Sequence, residues 1–200
     1  VDAIALHNNR FGQQVKQHRI SFSIDATNRS ISVYDTGIGF STDKFLELFA
    51  PHGTDKQPSD PVIGEKGVGL TYAIFSSNLY SIDTRSVDGL IRGGIRNALI
   101  WRQMPDQEMP KFQPDQIENG RFEPTETYTR ITLKGVEERY GEADDIFYQS
   151  VPVIEYYLRT KTAVGCTKGI MTNEPGLGIE VDLTLVDANG NSQVMPITPR

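Results

Sequence analysis

Polar and apolar residues alternate over Ile20 to Ala26 (ISFSIDA) and again over Ile31 to Asp35 (ISVYD), with turn-forming Thr27 to Ser30 between them. Period-two alternation buries one face of an extended chain, so the two runs predict a hairpin. Leu79 to Thr84, Asn97 to Arg102 (NALIWR) and Thr127 to Gly135 (TYTRITLKG) are further predicted strands. The β-branched alternation of the last makes it the expected central one. Ile179 to Pro196 reads as two strands around Asn189-Gly190, a pair suited to the positive φ angles of a tight hairpin turn. Helical signals are fewer. Val1 to Leu6 reads as the tail of a helix, and His7 to Arg19 as helix end plus loop. His7 and His18 are expected in solvent, because no carboxylate or cysteine cluster offers them a metal-ligand partner. Ser41-Thr42-Asp43 starts a predicted helix over 43–49 that Pro51 ends. A second helix is predicted over 69–76, from the apolar run Leu70 to Phe75. Tyr140 to Lys161 has helical spacing, with Pro152 expected to split it. Val87 to Gly94 is glycine-rich, and the proline-bearing stretch from Pro105 to Pro124 reads as a surface excursion.

Composition narrows the class. The chain has 200 residues, 38% hydrophobic and 23% charged, as in a soluble globular protein. That length favours one domain with a short extension. No apolar run approaches the roughly 20 residues needed to span a bilayer, and no basic-then-apolar leader suggests export. The lone Cys166 excludes an intrachain disulfide framework, which fits a reducing compartment: cytoplasmic, or nuclear in a eukaryote. A net charge of −6 argues against a broad nucleic-acid surface, leaving nucleic acid to domains outside this chain.

Chemistry concentrates between Tyr34 and Phe75. Asp35-Thr36-Gly37-Ile38-Gly39 follows a predicted strand, and Gly64-Glu65-Lys66-Gly67-Val68-Gly69 opens a predicted helix. A carboxylate at a strand end can accept a hydrogen bond from the exocyclic amine of adenine. Glycines let backbone approach phosphates, and the free N–H groups of a helix start face anionic oxygen. His52 to Pro61 (HGTDKQPSDP) has the composition of a surface loop or of a lid. The dinucleotide order GxGxxG and the phosphate loop GxxxxGK[ST] are absent, as are HExxH, CxxC and GxSxG.

DxGxG, an intervening helix and polar loop, then GxxGxG entering an apolar helix resembles the GHKL ATPase superfamily. That group includes DNA gyrase, the ninety-kilodalton heat-shock chaperone, sensor histidine kinases, MutL and the MORC proteins. The IGEKGVG form is nearest the chaperone, MutL and MORC type. Val1-Asp2-Ala3 resembles the end of the family's first motif, E-x-x-x-N-x-x-D-A. In that registration the magnesium-binding asparagine and the water-activating glutamate both fall ahead of Val1. The resemblance covers residues 1–135, and 136–200 reads as a C-terminal extension with a helix and a hairpin.

The resemblance implies an α+β fold of Bergerat type, an α/β sandwich whose mixed, mostly antiparallel sheet carries helices on one face. It implies an ATP site with Asp35 on the adenine amine and Gly39 keeping the backbone clear of the base. Gly64, Gly67, Val68 and Gly69 form the phosphate turn, and Lys66 is a candidate phosphate contact. Thr129 supports the base, and Asp2, Ala3, Gly37 and Ile38 complete the wall. Residues 50–66 become the lid. ATP with Mg2+ is the implied ligand, and a homodimer of the ATP-bound form the implied assembly. Hydrolysis is expected of the intact protein. A histidine-kinase-type phosphotransferase and a non-hydrolysing ATP-binding module are the alternatives.

Overall fold

A computed structural model describes residues 2–12, 17–43, 45, 68–104, 106, 108–138, 145–162, 164 and 178–197, with backbone alone at 68–71 and 178. The elements, in chain order, are α1 (Asp2–Phe11), β1 (Gln17–Asp25), β2 (Ser30–Asp35), α2 (Val68–Phe75), β3 (Ser77–Ser86), β4 (Gly89–Arg96), α3 (Ala98–Gln103), β5 (Gln113–Asn119), β6 (Tyr128–Val136), α4 (Val151–Lys161), β7 (Gly178–Val186) and β8 (Ser192–Pro196). The strands form one eight-stranded sheet in the order β5-β4-β3-β6-β2-β1-β7-β8. Every neighbouring pair is antiparallel except β1 and β7, which run parallel from Gln17↔Gly178 to Asp25↔Val186. The fold is therefore α+β, a mixed and mostly antiparallel sheet with helices against it.

Register shows how alternation builds the core. Phe22, Val33, Ile131 and Ile82 lie opposite one another across β1, β2, β6 and β3. Ile24, Ile31, Leu133 and Tyr80 form the next row. These residues share one face, and the helices cover it in two clusters. Ile4 of α1 and Ile154 of α4 pack with Ile20, Ile24, Val181 and Leu183. Ile74 of α2 and Ala98 of α3 pack with Tyr80, Ile82, Ile91 and Ile95. The hairpin β7–β8 thus continues the sheet that begins with β1 and shares its core. The other face carries Ser21, Ser23, Ser32, Tyr34, Arg130, Thr132 and Asp83. No helix among the described residues is long and apolar enough to cross a membrane.

Several expectations need correction. NALIWR is helix α3, not a strand. Ala98 and Leu99 are adjacent and both buried while Ile100 is exposed, a helical spacing that alternation cannot produce. Asn97 enters the helix at φ 61°, a left-handed conformation that asparagine tolerates. Glycine-rich 87–94 contains most of β4, where Gly94 has no room for a side chain: a Cβ would meet the Tyr80 carbonyl at 2.3 Å. The excursion between Pro105 and Pro124 contains β5, an edge strand whose seven residues are all exposed. Lacking an apolar face, it carries no alternation signal. Pro152 sits in the first turn of α4, where its missing N–H costs nothing, and a separate 3-10 turn, Ile146–Tyr148, precedes that helix. Residues 140–144 of the stretch lie outside the described residues. Helix α1 reaches Phe11, and His7 and His18 are fully buried rather than solvated. The helix expected over 43–49 and the loop at 50–66 lie outside the described residues, save Asp43 and the buried Phe45.

Candidate functional site

Asp35 is the last residue of β2, and the sheet turns its side chain toward the helices. Its row reads Ile20, Asp35, Thr129, Thr84, Ile91 across β1, β2, β6, β3 and β4. Three polar side chains thus stand together in one row of a mostly apolar face. Thr84 and Thr129 are buried, with their hydroxyls 3.1 Å apart. Thr84 donates to the Tyr128 carbonyl at 2.9 Å and accepts the Phe40 N–H at 3.1 Å. Asp35 itself is half-buried, as are Ile31, Val33, Ile131 and Leu133. This half-covered strip along β2 and β6 separates the two core clusters and ends at Asp35.

The turn after Asp35 is tight. The Gly37 N–H donates to Asp35 Oδ1 at 2.8 Å. Burial pushes the Asp35 pKa up, and the Gly37 hydrogen bond opposes that shift. One bond uses a single acceptor site of a carboxylate that has about four. Helix α1 closes against the turn, with the Ile38 N–H bonded to the Ala3 carbonyl at 3.0 Å. A Cβ on Gly37 would stand 2.5 Å from Ala3 Cβ and 2.6 Å from Asp35 Oδ1. Gly39 has φ 72°, and a Cβ there would meet the Arg85 carbonyl at 2.1 Å. Both positions require glycine, Gly37 for space and Gly39 for space and backbone conformation.

Behind the turn lies a buried polar network. His18 Nδ1 is 2.9 Å from the Thr36 carbonyl, and its Nε2 is 2.9 Å from Asn8 Oδ1. Burial lowers the His18 pKa, against the raising effect of the Thr36 bond. The His7 ring meets His18 edge-on at 5.0 Å, and its Nε2 donates to the Pro124 carbonyl at 2.8 Å. Thr127 Oγ1 sits 2.6 Å from the Gly37 carbonyl and 3.0 Å from that of Pro124.

Of the residues singled out from sequence, Ala3, Asp35, Gly37, Ile38 and Thr129 come together. Gly39 follows in the same turn, and Asp2 opens α1. The backbone of Val68 and Gly69 opens α2. Through Ile74 that helix packs on Tyr80 and Ile82, on the sheet face that Asp35 shares. Gly64, Lys66 and Gly67 lie outside the described residues. Sequence reading missed Thr84, Thr127, His7 and His18. For two of them a signal existed. His18 is in phase with Ile20, Phe22 and Ile24, and Thr84 with Tyr80 and Ile82, so extended alternation places both inward.

Two cavities lie elsewhere. One of about 630 Å³ is lined by Ser150, Pro152, Asp187 and Asn189 where α4 begins beside the β7–β8 turn. Another of about 390 Å³ lies between Tyr72 and Asp145. Neither includes a residue of the Asp35 row, and neither brings together a carboxylate and a glycine-bounded backbone in the way the β2 turn does. Among the described residues no cluster of three or more His, Cys, Asp or Glu could hold a metal ion. No protein-family model matches the chain.

Proposed function

We propose that the chain is the ATP-binding domain of a GHKL-type ATPase, which couples Mg-ATP binding and hydrolysis to closure of the 50–66 segment and pairing of two copies. The observation that carries this reading is the inward, half-buried Asp35 beside Thr129, at the end of a half-covered strip between two helix-backed clusters. A carboxylate held by one backbone N–H in such a place is costly to ionise. It becomes useful when a ligand brings the missing donor, and the exocyclic amine of adenine is such a donor. Thr129 adds a hydroxyl that can accept from the ring edge or from a bridging water, backed by Thr84, whose own hydroxyl is spent on the Tyr128 carbonyl and the Phe40 N–H. Ala3, Gly37 and Gly39 keep the wall thin enough for a flat base to reach the carboxylate.

Asp35, Thr129 and their surroundings support only the base end of this reading. Gly64, Lys66, Gly67, Val68 and Gly69 are assigned to the phosphates by the resemblance and by the use of helix N-termini for anions. Magnesium, when bound, neutralises charge on the phosphate oxygens. Neither its protein ligand nor the general base is assigned to a residue of this sequence.

The test is calorimetric titration with ATP and with ITP, which carries an oxygen where adenine has the amine. ATP is expected to bind at least tenfold more tightly, the scale of one hydrogen bond to a charged group. Equal affinities, or no binding of ATP, would remove the proposal. Release of inorganic phosphate by the intact protein then separates hydrolysis from binding alone.

A further inference from the structure

The turn that carries Asp35 contains a peptide group held at both ends. The Thr36 carbonyl and the Gly37 N–H belong to one peptide unit, which resonance keeps planar. Its oxygen lies 2.9 Å from His18 Nδ1, and its N–H donates to Asp35 Oδ1 at 2.8 Å. A carbonyl only accepts, so His18 Nδ1 carries the proton. The bonds therefore run in series from imidazole N–H to carbonyl, and from amide N–H to carboxylate, each polarising the next.

His18 is itself fixed in place. It is fully buried, edge-on to the fully buried His7, with Asn8 at its other nitrogen. Burial favours the neutral ring. A neutral ring protonated at Nδ1 accepts at Nε2, so the Asn8 amide is turned end for end, its NH2 group taking the position 2.9 Å away assigned to Oδ1. Filling this space alone would be served by an apolar side chain. Two buried imidazoles carry a desolvation cost that only their hydrogen bonds offset.

We propose that His18 is a positioning residue for Asp35: by holding the Thr36–Gly37 peptide plane it sets the direction in which the carboxylate is offered to the adenine amine. The consequence for ATP rests on the function proposed above, whereas the control of the turn rests on the bonds alone.

His18→Asn and His18→Gln separate this role from simple support. The asparagine amide nitrogen reaches the place of Nδ1, and the glutamine amide nitrogen that of Nε2. Both variants lose the ring, so both lower Tm. In protein without nucleotide, His18→Asn is expected to keep Gly37 amide protection and the Asp35 carboxyl titration, followed by carbon-13 NMR. His18→Gln is expected to speed Gly37 exchange about tenfold and to move the Asp35 titration further up, as the carboxylate loses its donor. ATP affinity should fall about tenfold in His18→Gln and far less in His18→Asn, the low end of the effect seen when the residue that orients a metal ligand is removed. Equal Gly37 exchange and equal Asp35 titration in the two variants would overturn the positioning role. If wild type fails to bind ATP, the nucleotide reading falls, and the exchange and titration measurements still decide the role of His18. Should neither variant fold, the nitrogen-15 spectrum of wild-type His18 decides: an Nε2–H tautomer overturns the proposal, and an Nδ1–H tautomer supports it.

Discussion

Asp35 and Asp83 lie on one sheet and face opposite ways. Asp83 points outward from β3, where it accepts the Tyr128 hydroxyl at 2.7 Å and pairs with Arg92 Nε at 3.2 Å. Around it the outer face is laced with similar contacts. Arg130 lies over the Tyr34 ring and Arg85 over Phe122 and Tyr128. Asp35 points inward among apolar side chains, holds the Gly37 N–H, and forms no salt bridge with a described lysine or arginine. Its pKa is pushed up by burial. The outer carboxylate is satisfied by its neighbours and needs nothing more. The inner one has a single hydrogen bond from a described residue where the chain could have placed an apolar residue, and that difference is what the proposed function draws on.

Substitutions at the inner turn should therefore cost more than those on the outer face. The largest effect is expected for Gly39→Ala, which drives a Cβ into the Arg85 carbonyl in a left-handed conformation. Urea denaturation should show a loss of about 3 kcal/mol. Gly190→Ala, also at positive φ but with open space around it, should lose about 1 kcal/mol. Equal losses would mean that the inner turn relaxes freely.

Asp35→Asn is expected to weaken ATP binding by about 1.5–3 kcal/mol, while Asp83→Asn leaves ATP affinity unchanged. Titration of both variants breaks the comparison if they lose affinity alike.

Thr84→Val keeps the shape but leaves the part-buried Phe40 N–H and the Tyr128 carbonyl without their hydroxyl partner. A stability loss of about 1–3 kcal/mol follows. Ser32→Ala, which removes an outer-face hydroxyl 3.0 Å from Thr132 Oγ1, should stay within about 0.5 kcal/mol. Chemical denaturation of the two variants side by side checks this.

The smallest effect is in pH dependence. Asp35 has a folded pKa above the ordinary 3.8. Between those two values the folded chain keeps a proton that the unfolded chain has lost. Its contribution therefore favours folding at low pH and fades as pH rises through the raised value. Asp35→Asn should remove that slope from the stability profile, and Asp83→Asn should not. ATP affinity should rise over the same interval, because the amine prefers the ionised carboxylate, and proton release on binding in two buffers measures it.

Much of this was legible in the chain. Alternation in ISFSIDA, ISVYD and TYTRITLKG reports which side chains face inward, because strand geometry reverses direction at every residue. Asn189-Gly190 announced its hairpin for a similarly local reason, with Gly190 at φ 82°. The glycines at 37 and 39 could be picked out because their neighbours in sequence framed a strand end. Strand β5 could not be read, since an exposed edge strand takes its conformation from β4 and needs no apolar face. Helix α3 could not be separated from a strand in a six-residue window. There the left-handed Asn97 and the place of Ala98 in the core decide, and both belong to the three-dimensional packing.

By itself the sequence determined that residues 20–35 form a hairpin ending in a carboxylate and a glycine turn, because those signals are carried by consecutive residues. Only the tertiary structure decided what surrounds that carboxylate. Thr129 stands opposite it on β6 with Thr84 one strand further on, Ala3 of α1 holds the Ile38 N–H of its turn, and His18 grips the peptide behind it. Desolvation and hydrogen bonding act through space, so the environment of Asp35 comes into being only when separate strands and helices are brought into register.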